Sequence, residues 1–119
     1  MAVARSFECR VSRVEKSELP RTRIYRCKIT GLKNAYITFD MLEDVIYLGT
    51  GRKINVLVTD EKPGDLESFP FCGKARFVDR SNDGSMIYSI GGFMVKIIEP
   101  NEVLGKDRVP QEFYMCIKT

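Results

Sequence analysis

The segment Met86-Ile87-Tyr88-Ser89-Ile90-Gly91-Gly92-Phe93-Met94-Val95-Lys96-Ile97-Ile98 constrains the fold of this chain more than any other. Two β-rich runs flank the Gly91-Gly92 pair, and glycine takes positive φ at both central positions of a tight hairpin turn without steric cost. A two-residue loop sets Ile90 against Phe93, Tyr88 against Val95 and Met86 against Ile97. All six then share one face, and all six are apolar or aromatic. A slip of one residue would send them to the other face, so the pattern fixes its own register. The opposite side of the hairpin, with Ile87, Met94 and Ile98 around Ser89 and Lys96, is unusually apolar for a solvent face.

The same period of two recurs along the chain. Residues 6–14 alternate Phe7, Cys9 and Val11 against Glu8, Arg10 and Ser12. Residues 23–30 set Tyr25, Cys27 and Ile29 against Arg26 and Lys28, and residues 35–39 point Ala35, Ile37 and Phe39 inward. Residues 53–59, 72–79 and 113–118 read as further strands, separated by polar loops at 15–22, 60–70 and 99–111. One stretch breaks the pattern. Asp40 and Glu43 have the spacing of a capping box, Leu42, Val45 and Ile46 have helical spacing, and Gly49 follows. This predicts a short helix of about two turns.

Eight short strands with turn signals between them define an all-β protein. At 119 residues the chain suits one domain with one core, spanning 1–119. The expectation is a small eight-stranded antiparallel barrel of OB-like Greek-key type, with one short helix between strands three and four. No internal repeat is visible.

Charge is uneven. Residues 1–39 carry nine Lys and Arg against three Glu, whereas residues 40–119 carry ten against thirteen acids. The basic end suits nucleic acid or an acidic protein surface, but the bases are spread over two strands and a loop, as on an ordinary solvated face. No apolar run is long enough to span a membrane and the start lacks a secretory h-region, so a cytoplasmic location is expected.

Enzyme chemistry has little material. The chain has no histidine, the commonest general base and metal ligand. Its four cysteines form no C-x-x-C pair, and Cys9 and Cys27 fall in phase with apolar neighbours, as small buried hydrophobes in a reducing compartment. Asp79-Arg80-Ser81-Asn82-Asp83-Gly84 imitates the start of an EF-hand loop, but Ile90 stands where the bidentate Glu is needed, so a β-turn accounts for it better. Gly49-Thr50-Gly51-Arg52-Lys53 matches no phosphate-binding fingerprint. The acids Asp60, Glu61, Asp65 and Glu67 share their loop with Lys62 and Pro63, the make-up of a solvated connector. No catalytic residue, cofactor site or metal site is assigned.

Binding remains. OB-type barrels hold single strands through aromatics and bases on an open face, and Tyr36 is predicted outward beside Arg26 and Lys28. Against this stands the apolar outer side of the hairpin, the mark of a protein interface unless a helix or loop covers it.

Three segments carry a family resemblance: Phe71-Cys72-Gly73; Tyr88-Ser89-Ile90-Gly91-Gly92-Phe93-Met94-Val95-Lys96-Ile97; and Phe113-Tyr114-Met115-Cys116-Ile117-Lys118. In order and position they resemble the eighth subunit of archaeal DNA-directed RNA polymerase, also called the G subunit, which is similar to the small common subunit of the eukaryotic nuclear polymerases. The resemblance implies an eight-stranded barrel related to a double OB-fold. It also implies a non-catalytic role on the outside of the polymerase, docked on its largest subunit, with the catalytic Mg²⁺ held elsewhere. On this reading Ile87, Met94, Lys96 and Ile98 form the partner interface, and Arg26 and Lys28 supply charge complementarity. The alternative is a free-standing single-strand nucleic-acid binder using Tyr36, Arg26 and Lys28.

Overall fold

A computed structural model describes residues 4–104 and 110–119. Eight strands form one closed antiparallel barrel: β1 (Ala4–Lys16), β2 (Thr22–Ile29), β3 (Tyr36–Leu42), β4 (Lys53–Thr59), β5 (Phe71–Arg80), β6 (Met86–Ile90), β7 (Phe93–Ile98) and β8 (Glu112–Lys118). Around the barrel the order is β1-β2-β3-β7-β6-β5-β8-β4, with β4 pairing back onto β1. Closure gives each of the eight described strands a neighbour on both sides, which protects against edge-to-edge association.

The hairpin register expected from Gly91-Gly92 is the register observed. Ile90 faces Phe93, Tyr88 faces Val95 and Met86 faces Ile97. Gly91 and Gly92 have φ of 59° and 101°, both in the region that glycine alone enters freely. Tyr88, Val95 and Ile97 are fully buried, and they meet Tyr25, Phe39, Ile54, Met115 and Ile117 from the other strands. Side chains fill the barrel, as in other small barrels. Each large apolar side chain removed from water contributes about 1.5–3 kcal/mol. Cys9 and Cys27 are free thiols in this core. The neighbouring Cys9 and then burial push the Cys27 thiol far above its ordinary range.

The helix expected over residues 40–48 is not there. β3 continues to Leu42, and the Leu42 carbonyl accepts from the Val45 and Ile46 amides in a single turn. Asp40 does not cap: its carboxylate accepts the Met94 N–H of β7 at 3.0 Å. Glu43 pairs with Arg23 at 3.5 Å. Beyond the turn the period is two again, with Ile46 and Leu48 buried and Tyr47 exposed. Residues 43–50 thus form a strap across one barrel mouth. The Tyr25 hydroxyl holds it from inside, accepting the Leu48 N–H at 3.1 Å and donating to the Ile46 carbonyl at 3.5 Å. Barrel closure won over local helical spacing because these apolar residues fill the mouth.

The short helix lies instead at α1 (Pro100–Leu104), inside the stretch expected to be a loop. Proline suits the first helical position, where no N–H is needed. Val103 and Leu104 are buried. Val103 lies beside Ile29 and Leu32, and Leu104 beside Val58 and Phe113, so α1 closes the other mouth. The rest of that expected loop, residues 105–109, and the first three residues of the chain lie outside the described residues.

Candidate docking face

Antiparallel pairing stacks outward side chains into rows that cross the strands. One row runs Arg13, Arg26, Thr38, Lys96, Ile87 through β1, β2, β3, β7 and β6. A second runs Lys53, Arg10, Lys28, Tyr36, Ile98 through β4, β1, β2, β3 and β7. Five of the six residues expected at a partner interface therefore sit in two adjacent rows: Arg26, Lys96 and Ile87 in the first, Lys28 and Ile98 in the second. Arg26, Thr38, Lys96, Ile98 and Ile24 line one groove of about 230 Å³. The sixth, Met94, lies one row further along β7, opposite Ser89, and is 40% exposed.

The apolar part of this face is only partly open. Ile87 and Ile98 are half-buried, and Met94 is exposed. Lys96 reaches Asp83 at 3.7 Å, which ties the face to the 81–85 turn. That turn is the EF-hand imitation, and its geometry is a turn's. Asp83 accepts the Ser85 N–H at 3.0 Å and the Ser85 hydroxyl, and Gly84 has φ of 86°. The Ser85 contacts, with Lys96 adding to them, hold the Asp83 carboxyl down to about 2. Among the described residues, no group of three His, Cys, Asp or Glu side chains is placed to hold a metal ion.

Tyr36 and Arg26 are neighbours, as expected. The Arg26 guanidinium lies 4.3 Å from the Tyr36 ring centroid, and Lys28 is directly opposite Tyr36. One face of the ring is already taken by a cation, which leaves less of it for a stacking base.

Two features were missed by sequence reasoning. Cys72 and Cys116 are directly opposed on β5 and β8, with Cα atoms 4.1 Å apart, and form a disulfide. Only the pairing of two strands far apart in sequence brings them together, and spacing alone gives no sign of it. The second is the stacking of Arg23 under Tyr47, 4.5 Å from centroid to guanidinium, at the strap. Arg23 is in phase with the core residue Tyr25, and its Nε is buried without a hydrogen bond, though Glu43 is within ion-pair distance.

A closed, side-chain-filled barrel of eight antiparallel strands with one short helix is a protein of the OB-like small-barrel class. The chain belongs to the family of the G subunit of DNA-directed RNA polymerase, whose family model matches residues 4–119. A search of curated proteins finds no match. Family membership makes the chain a polymerase subunit, in accord with the resemblance carried by the hairpin and the closing strand.

Proposed function

We propose that this chain is a non-catalytic, cytoplasmic subunit of an archaeal DNA-directed RNA polymerase that docks on the outside of the largest subunit and supports assembly. The docking face is the outer side of β3, β7 and β6, with Ile87, Met94, Lys96 and Ile98, flanked by Arg26 and Lys28. The observation that carries this reading is the alignment of these residues into neighbouring cross-strand rows, with Ile87, Met94 and Ile98 around Lys96 and with Arg26 and Lys28 to one side. Protein interfaces combine buried apolar side chains with charged groups that set the fit to the partner.

The free-standing single-strand binder is the weaker reading. It needs Tyr36 as an open platform, and Arg26 lies over that ring. It also leaves membership of a polymerase-subunit family without a role. A tagged full-length chain, expressed in its source cell and purified under mild conditions, tests the proposal. Recovery with the other polymerase subunits is expected. Recovery without them, together with salt-sensitive oligonucleotide binding, favours the single-strand binder.

A further inference from the structure

The second cross-strand row has a feature that docking through the hairpin uses only at its Lys28 end. Lys53, Arg10 and Lys28 stand directly opposite one another on β4, β1 and β2. All three are exposed. Like charges in direct opposition weaken a sheet. Several bases elsewhere on the barrel are paired with acids, among them Arg13 with Glu15, Arg21 with Asp44, and Lys74 and Arg76 with Glu112, whereas this row sets three bases side by side. Among the described residues, no carboxylate lies within ion-pair distance of Lys53, Arg10 or Lys28. Glu8, the nearest acid along β1, is two residues from Arg10 and accepts a hydrogen bond from the Thr30 hydroxyl at 3.3 Å.

We propose that this row is a docking surface for an acidic helix of a neighbouring polypeptide. The spacing supports a helix. Adjacent strands lie about 4.8 Å apart, so the row repeats at that interval. Acids three or four residues apart on a helix repeat at about 5–6 Å on one face. A helix laid across the strands sets successive carboxylates over Lys53, Arg10 and Lys28. A nucleic-acid strand is the poorer fit, because the row contains one aromatic, Tyr36, and Arg26 lies against its ring. The surface adjoins the proposed docking face through Tyr36 and Ile98. The inference rests on that reading only for which chain carries the helix.

The test uses the full-length protein at low salt and fluorescence anisotropy with three labelled probes. They are a helical peptide with Glu at every fourth position, a scrambled peptide of the same composition, and an oligo-dT of equal charge. The helical peptide is expected to bind at least about fivefold more tightly than the scrambled one. Arg10→Glu and Lys28→Glu should each weaken it about tenfold or more, with Arg10→Gln and Lys28→Gln in the same order. Lys62→Glu, the same charge change in the distant 60–70 loop, should change it less than about twofold. Circular dichroism checks that each variant keeps its fold. Equal binding of the scrambled peptide, an equal loss with Lys62→Glu, no binding at all, or tighter binding of oligo-dT overturns the proposal. Because the peptides replace the polymerase, these failures leave co-purification with polymerase subunits as a separate result.

Discussion

Arg26 stacks on Tyr36, its guanidinium 4.3 Å from the ring centroid, and the pair sits where the apolar and basic parts of the outer face meet. On an exposed sheet such a contact is worth about 0.5–1 kcal/mol. We predict that Tyr36→Leu lowers stability by about that amount, measured by urea unfolding. Oligonucleotide affinity should stay unchanged, because the ring is engaged within the protein. A loss of oligonucleotide binding in Tyr36→Leu would make the ring a base platform.

Tyr25→Phe tests the strap. The lost hydroxyl strands the Leu48 N–H and relaxes the hold on the Ile46 carbonyl, both at a buried site. An unsatisfied buried donor costs about 1–3 kcal/mol. Urea unfolding should show a loss in that range, and amide exchange should rise at Leu48 more than in β7. Uniform loss of protection around the barrel would place the role of Tyr25 in the core instead.

The strands and the hairpin register were legible in the sequence because alternation and Gly91-Gly92 are local signals. Tyr25, Ile37, Phe39 and Val95 all lie where their phase sets them. The element read wrongly was the stretch after Asp40. Its capping-box residues answer to partners far along the chain, Asp40 to Met94 and Glu43 to Arg23, and helical spacing in Leu42, Val45 and Ile46 does not register such partners. The α1 helix was hidden for a related reason: it is five residues long and forms against a barrel mouth that only closure creates. The docking residues could be chosen one strand at a time. Their alignment into rows depends on the β3–β7 pairing between strands about sixty residues apart in sequence, which no local pattern contains.

Gly73 lies against the hairpin it helps to close. A Cβ at this position would run into Ile90 Cγ2 and press on the Phe71 ring. Overpacking of this kind costs about 1–3 kcal/mol, so Gly73→Ala is expected to lower the urea midpoint accordingly. Removing Cγ2 should relieve it: Ile90→Ala should cost less in the Gly73→Ala background than in the wild type, a coupling read from a double-mutant cycle. Strict additivity would show that the hairpin shifts freely away from β5.

The Cys72–Cys116 disulfide links strands 44 residues apart in sequence. Chain-entropy reasoning sets an upper value of about 4 kcal/mol for a loop of this length. Reduction, or Cys72→Ser with Cys116→Ala, should lower the thermal midpoint while the barrel stays folded at room temperature. Scanning calorimetry with and without reductant measures this. An unchanged midpoint would mean that β5 and β8 hold without the link.

Docking through the outer face of β3, β7 and β6 is the central claim, and Met94 is its most exposed apolar residue. The most direct measurement is co-purification of the largest polymerase subunit with tagged Met94→Asp, with circular dichroism confirming the barrel. The account predicts a folded barrel that no longer brings down the largest subunit. Recovery equal to the wild type from a folded Met94→Asp protein would contradict it and move the interface elsewhere on the barrel.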